Sequence, residues 1–328
     1  MLFPVSRGSR SRDLVGAINF YLPPILNELI RGLDHVMGQE IDRFHYLGPL
    51  RSYPPRHLAF SEYDDANWHA GGGYAWDVLK RDRSVRNKIN KWLSAEWLTT
   101  NYKLVVRELV ATEQLDKPLT SAFETFEGDE QILGLETDYD DRTGQPSGQF
   151  PVIKDTDEAI SRILTSIEMS NIEKLPELIL LDQRTDTVVS HRDVGIGISQ
   201  VLPVLVSCYG LRDQIIAIEQ PEIHLHPALQ AELGDVFICS ALGEQNNRFI
   251  LESHSEHLIL RILRRIRETT DNDLPADAIP VTPDDVAVLY VEPTPTGAQV
   301  VEIPVTEDGD FGRPWPRGFF ADRVKELF

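Results

Sequence analysis

The chain of 328 residues carries 32 Lys+Arg against 52 Asp+Glu, a formal charge of −20, and is 41% hydrophobic and 26% charged. That is the composition of a folded chain long enough for one large or two ordinary domains, and its charge opposes free-standing, sequence-independent binding to DNA. The two cysteines, Cys208 and Cys239, exclude a disulfide scaffold or a four-cysteine zinc module and suit a reducing cytosol.

The first residues, MLFPVSRGSRSRDL, are basic but lack the apolar segment of a secretory signal. No later apolar run approaches the roughly 20 residues that span a bilayer, so the expected location is cytoplasmic. Residues 24–37 place Ile25, Leu26, Leu29, Ile30, Leu33 and Val36 at helical spacing, with Pro23-Pro24 as the helix entry. HYLGPLRSYPPR (45–56) predicts a short strand and a turn. Trp68 and Gly71-Gly72-Gly73 mark a flexible loop, and residues 75–112 are mostly helical by pattern. Six basic residues (Lys80, Arg81, Arg83, Arg86, Lys88, Lys91) lie within 77–91 and fit a solvated helix face, or else a contact with nucleic acid or an acidic partner.

Between Glu124 and Glu158 the balance reverses to eleven acids against Arg142 and Lys154. There the turn chemistry at Thr143–Gly148 predicts a loop or a mobile hairpin over 128–157, with a helix at 156–173 behind it. ELILLDQRTDTVVSH then reads as two strands joined by a turn at Gln183–Thr185. From residue 193 the pattern alternates: helix 199–210, an apolar strand 215–218, helix 227–242, strand 248–251 and helix 255–268. In the last of these Leu258, Ile259, Ile262, Leu263 and Ile266 face inward and Arg261, Arg264, Arg265 and Arg267 outward. Strands at 286–291 and 298–305 close the chain as a β-hairpin. The fold class is α/β, a sheet with flanking helices and a helical and β-rich insertion. It divides into an N-terminal helix and strand (1–60), a mainly helical insertion with an acidic loop (61–175) and an α/β lobe (176–328).

Three segments of that lobe carry chemistry. Asp193-Val-Gly195-Ile-Gly197-Ile-Ser199-Gln200 is a glycine-rich turn before a helix, where backbone N–H groups and the positive helix end suit a phosphate. The strand Ile215–Ile218 ends in Glu219-Gln220-Pro221-Glu222, followed by His224-Leu-His226-Pro227, which puts a carboxylate at the carboxyl edge of a parallel sheet. Glu219 there can hold Mg²⁺ directly or through water. Strand 248–251 ends in Glu252-Ser-His254-Ser-Glu-His257, bringing His254 to the same edge, where it can donate to a terminal phosphate.

Order and spacing together resemble the second half of an ABC-type ATPase of the RecF/SMC and OLD-like branch. EQPEIHLHP (219–227) and ESHSEH (252–257) are close to the wording of prokaryotic ATPases of this branch, many of them found in anti-phage defence systems. YLGPLR (46–51) and PWPRGFF (314–320) are similar to further pieces of that group. The resemblance implies a signature at Gly195, Gly197 and Ser199, with Gln200 beside it, that contacts the γ-phosphate of ATP. It implies a Walker B acid for Mg²⁺ at Glu219, a D-loop around His226 and a switch histidine at His254. Gln220 departs from the acid that follows Walker B in most relatives. Gln orients a water but cannot accept its proton, so hydrolysis would require Glu222 to substitute.

A Walker A motif, G-x-x-x-x-G-K-[ST], is missing from these 328 residues: none of the eight lysines follows a Gly or precedes a Ser or Thr. The expectation is therefore a signature and Walker B half, completed by a P-loop-bearing subunit or second protomer and controlling an effector such as a nuclease. Three other readings stay open: a truncated or degenerate ATPase, a non-catalytic scaffold that keeps the ATPase fold, and a metal-dependent phosphoesterase using His224, His226, His254 and His257 with Glu219 and Glu222.

Overall fold

The computed structural model describes residues 11–52, 67–94, 100–126, 129, 131–139, 142–170, 172–189 and 194–315; Arg56, Asp193 and most of the PWPRGFF segment lie outside them. From the N-terminus come helix α1 (Ser11–Asp42), strand β1 (Phe44–Leu47), helices α2 (Tyr74–Arg81) and α3 (Arg83–Leu93), strand β2 (Tyr102–Val110) and helix α4 (Asp116–Glu124). The hairpin β3 (Leu133–Tyr139) and β4 (Pro146–Ile153) precedes α5 (Thr156–Met169), β5 (Lys174–Asp182) and β6 (Thr187–Val189). The chain then alternates through α6 (Ile196–Gly210), β7 (Ile215–Glu219), α7 (Pro227–Leu242), β8 (Arg248–Glu252) and α8 (Glu256–Thr270), and ends in the antiparallel pair β9 (Val288–Thr294) and β10 (Gly297–Ile303).

The organising layer is a parallel sheet in the order β1-β7-β8. Its strands alternate. Leu47, Ile216 and Ile218 turn into the main core with α6 and α7, and Phe249 meets Phe237 of α7 edge-on at 5.1 Å between ring centroids. Helix α6 is apolar on every side, and accordingly its residues Ile198–Cys208 are all buried. Trp76, Leu79, Ile89, Trp92 and Leu93 bring α2 and α3 onto the same core. The opposite sheet face carries Phe44, Tyr46 and Ile250, which are 46%, 42% and 61% exposed. Helix α1 likewise exposes its large apolar side chains, Ile25, Leu29, Ile30, Leu33 and Met37 among them. Among the described residues no helix is long and apolar enough to cross a membrane.

Several elements differ from the sequence reading. Helix α1 runs through Pro23-Pro24 instead of starting there. The helical stretch expected over 75–112 ends at Leu93, and YKLVVRELV is strand β2, held by a nine-residue antiparallel register with β5. Residues 128–157 form the hairpin option, β3 with β4, beside a small cluster of Phe126, Ile132 and Ala159. The glycines at 71–73 are a packed turn and not a flexible loop: Gly72, at φ +72°, lies where a Cβ would meet Pro203 at 2.8 Å, and Gly73 lies against the Trp68 ring. In the basic stretch Arg81, Arg83 and Lys91 face solvent, whereas Arg86 donates from Nη1 to the Leu79 carbonyl at 2.7 Å and closes the end of α2.

Two of the four arginines expected on the outer face of α8 turn inward. Arg265 is 8% exposed and grips Asp235 of α7 through Nε and Nη2 at 2.7 and 2.9 Å; Arg261 reaches the same carboxylate at 2.6 Å and Glu232 at 2.8 Å. A buried guanidinium is tolerated where carboxylates neutralise it, and that partner lies some thirty residues earlier in the chain.

Candidate functional site

The site forms where β7 and β8 end. An apolar strand between two neighbours stops at Glu219, whose side chain lies on the open face of the sheet, half-buried. Tyr46, on the same face of β1, donates its hydroxyl to Glu219 Oε1 at 2.5 Å, and this bond, more than burial, raises the phenol's pKa. Glu252 is the register partner of Glu219 on β8, so two carboxylates end adjacent parallel strands side by side. The sequence reading passed over Glu252, although an acid at the last position of a second apolar strand was the available signal.

Beyond Glu219 the backbone turns sharply. Gln220 adopts φ +44° and His224 φ +64°, left-handed conformations that non-glycine residues rarely take. The Gln220 N–H donates to the Glu252 carbonyl at 2.8 Å, and Ile223 and Leu225 donate back to Gln220 and Glu222 at 3.2 and 3.0 Å. Glu222, only 7% exposed, accepts the His254 backbone N–H on Oε1 at 2.7 Å. His226 caps α7, its Nδ1 accepting from the Ala228 N–H at 3.3 Å, and Pro227 takes the first helical position, where its missing N–H costs nothing. Ser255 caps α8 and donates to Gln230 Oε1 at 2.6 Å, while Gln230 donates to the Leu225 carbonyl at 3.0 Å. The turn after β7 and the turn after β8 are thus bonded to each other.

Arg51 joins them to α6. It is 4% exposed, and its guanidinium donates to three backbone carbonyls: Gln200 at 3.1 Å, Glu219 at 2.9 Å and Gln220 at 3.1 Å. Gln200 returns the bond from Nε2 to the Arg51 carbonyl at 3.0 Å. Burial lowers the Arg51 pKa to about 10, and the charge of Glu222 opposes that shift. Arg51 Nε and Glu222 Oε2 are both buried without a hydrogen-bond partner among the described residues. Arg51 is thus bonded to main chain, which no side-chain pattern reveals.

The glycine-rich segment sits against this turn. Gly195 is the N-cap of α6 with open space around it, and a Cβ on Gly197 would meet the His224 carbonyl at 2.7 Å. Ser199 lies inside the first turn of α6, not before it, and is 1% exposed. The structure therefore brings Gln200, Glu219, Gln220, Glu222 and the His254 backbone into one bonded cluster, with Gly197 packed close against the His224 carbonyl. The His226 ring is engaged as a helix cap, and the His254 side chain is exposed beside the same edge. Among the described residues no group of three or more His, Cys, Asp or Glu side chains converges as a metal cage, so the histidines proposed for a phosphoesterase are not assembled. A single half-buried carboxylate at a strand end is instead a donor set suited to Mg²⁺, which keeps several waters and takes one or two protein carboxylates beside substrate phosphates.

The model of the family described as "AAA domain, putative AbiEii toxin, Type IV TA system" matches residues 57–261, and that of a family of unknown function, DUF3696, matches residues 281–328. No curated protein matches the chain.

Proposed function

The chain belongs to this AAA-domain family, and we propose that it supplies the signature and Walker B half of an ATPase site whose P-loop comes from a partner subunit or second protomer. The observation that carries the reading is the parallel sheet with one face that no element of the described residues covers. Parallel sheets are ordinarily buried on both sides, yet here Phe44, Tyr46 and Ile250 are exposed on the face and edge that also hold Glu219 and Glu252. A strand, loop and helix laid on that face would cover the apolar side chains and bring a phosphate-binding loop to the acids.

In that arrangement Glu219 holds Mg²⁺, His254 donates to a terminal phosphate oxygen, and Gln220 orients a water. Mg-ATP, when bound, contributes the phosphoanhydride bond and the cation that offsets its charge. Glu222 is not free to replace the missing base, since its carboxylate is buried and holds the His254 backbone. Turnover is accordingly slow, which suits a switch better than a motor. The output is control of a prokaryotic defence or DNA-metabolism complex with an effector chain such as a nuclease, a reading supported by the toxin–antitoxin wording of the family.

Gln220 also favours a second reading, a scaffold that keeps the fold without turnover. Mg-ATP binding and hydrolysis by the chain alone, and by the chain co-purified with the products of neighbouring genes, separate the two. Activity only in the complex, lost in Glu219→Gln and His254→Ala, supports the split site. Binding without turnover supports the scaffold, and neither binding nor turnover in any preparation refutes the ATPase reading.

A further inference from the structure

Arg51, the last residue of YLGPLR, has no chemical role in the proposed ATPase reading, yet its side chain touches two of the segments that do. It spans the end of β7 and the first turn of α6, and its backbone carbonyl is itself held by Gln200. Its fixed planar fork can reach several carbonyls at once, which a lysine ammonium cannot do with the same geometry. The carbonyls it holds include those of two of the three residues on which the reading depends for chemistry, Glu219 and Gln220. It also secures the left-handed backbone at Gln220 from the carbonyl side, while the Glu252 carbonyl secures it from the N–H side.

Glu222 completes the unit. No carboxylate is hydrogen-bonded to Arg51 among the described residues, so Glu222 acts on the guanidinium through charge, and its own Oε1 fixes the backbone at His254. We propose that Arg51 and Glu222 are a positioning couple that registers the Glu219–Gln220 turn against the first turn of α6 and the His254 loop, so that the three segments move as one body. The inference rests on the ATPase reading for its catalytic half and stands on geometry alone for its coupling half. Both charges are buried, so loss of either one leaves the other uncompensated, whereas loss of both together does not.

The coupling half is tested on the chain alone by amide hydrogen exchange in wild type and Arg51→Lys. The expected result is faster exchange, by about 10-fold, in segments 196–202, 217–224 and 253–256 together, as for one cooperative opening unit. A rise confined to residues beside position 51 overturns the coupling. The catalytic half is tested by Mg-ATP kinetics of the complex with its P-loop subunit, using Arg51→Met, Glu222→Gln and the double variant Arg51→Met/Glu222→Met. The single variants lose kcat by about 100-fold with KM little changed, the scale on which misplaced catalytic groups act. The double variant regains the thermal midpoint but not kcat. If it regains both, the pair is an ordinary buried ion pair and the positioning role is refuted. Absence of nucleotide binding and turnover in the wild-type complex overturns the ATPase reading and the catalytic half with it, while the exchange experiment, which needs no nucleotide, still decides the coupling.

Discussion

Asp235 is the residue whose loss should cost this fold most per atom changed. It is 5% exposed on α7 and accepts three charge-assisted bonds from α8: Arg261 Nη1 at 2.6 Å, Arg265 Nε at 2.7 Å and Arg265 Nη2 at 2.9 Å. These bonds are the first cause of the raised Arg265 pKa. Asp235→Asn conserves volume but leaves two guanidiniums facing an amide that can accept on only one atom. Breaking a buried ion pair in this way costs about 3–5 kcal/mol. The lower end applies, because Glu268 still holds Arg265 at 2.6 Å and Glu232 still holds Arg261 at 2.8 Å.

A loss of about 3 kcal/mol with a urea m-value of about 3 kcal/mol/M moves the unfolding midpoint down by about 1 M. The companion Asp235→Leu/Arg265→Met replaces both charges by apolar groups and should return to within about 1 kcal/mol of wild type. Urea unfolding of the wild type, the single variants (Asp235→Asn, Asp235→Leu and Arg265→Met) and the double variant gives a coupling energy. A value under about 0.5 kcal/mol would mean that the two sites add independently and that the pair is not a unit. The result bears on function, because α7 starts directly after the Glu219 turn and α8 directly after His254, so this splint fixes the two helices that carry those turns.

Three further outcomes can be checked. Gly197→Ala pushes a Cβ to 2.7 Å from the His224 carbonyl and should cost about 1–3 kcal/mol, whereas Gly195→Ala, with open space around it, stays within about 0.5 kcal/mol; equal effects in chemical unfolding refute the close approach. Burial lowers the His45 pKa, so the unfolded chain binds the proton first, and stability present above about pH 6.5 is lost as the pH falls through the folded value. His45→Gln should flatten the pH dependence of the urea midpoint between pH 7 and 5, and an unchanged slope would exclude His45 as its source. Tyr46→Phe removes a half-exposed bond to Glu219, so it should cost less than about 1.5 kcal/mol and tighten Mg-ATP binding by the complex; weaker binding would show that the phenol orients the carboxylate instead of competing with the cation.

What the sequence made legible was local chemistry. The runs IIAI and FIL, each followed by an acid, are short, apolar and end at the sheet's carboxyl edge, so strand type, direction and the placing of Glu219 followed from pattern alone. Strand β2 was hidden because Leu104, Val105, Val106 and Leu109 fit a helical stripe as well as a strand; the decision came from β5, some seventy residues away. Arg261 and Arg265 were assigned to solvent for a similar reason, since charge predicts exposure until a buried acid on another helix is known. The glycines at 71–73 were read as freedom, but Pro203 and Trp68 occupy the space that a side chain would need.

The same division explains the site itself. Residue types that could contact a nucleotide are spelled out in the motifs, and the structure brings most of them to one edge. What holds them there is backbone: the carbonyls of Gln200, Glu219 and Gln220, the N–H of His254, and the left-handed turns at Gln220 and His224. Such φ values in non-glycine residues cost about 1–3 kcal/mol each and persist only where surrounding bonds over-determine them. Here each is accounted for, since Arg51 and Glu252 fix Gln220, and the close approach of Gly197 leaves room for the His224 carbonyl. A turn held this firmly keeps Glu219 and the His254 backbone in register without nucleotide. On the proposed split-site reading, binding would change the position of the partner half more than the geometry of this one, and the sheet face left open among the described residues is where that movement would be felt.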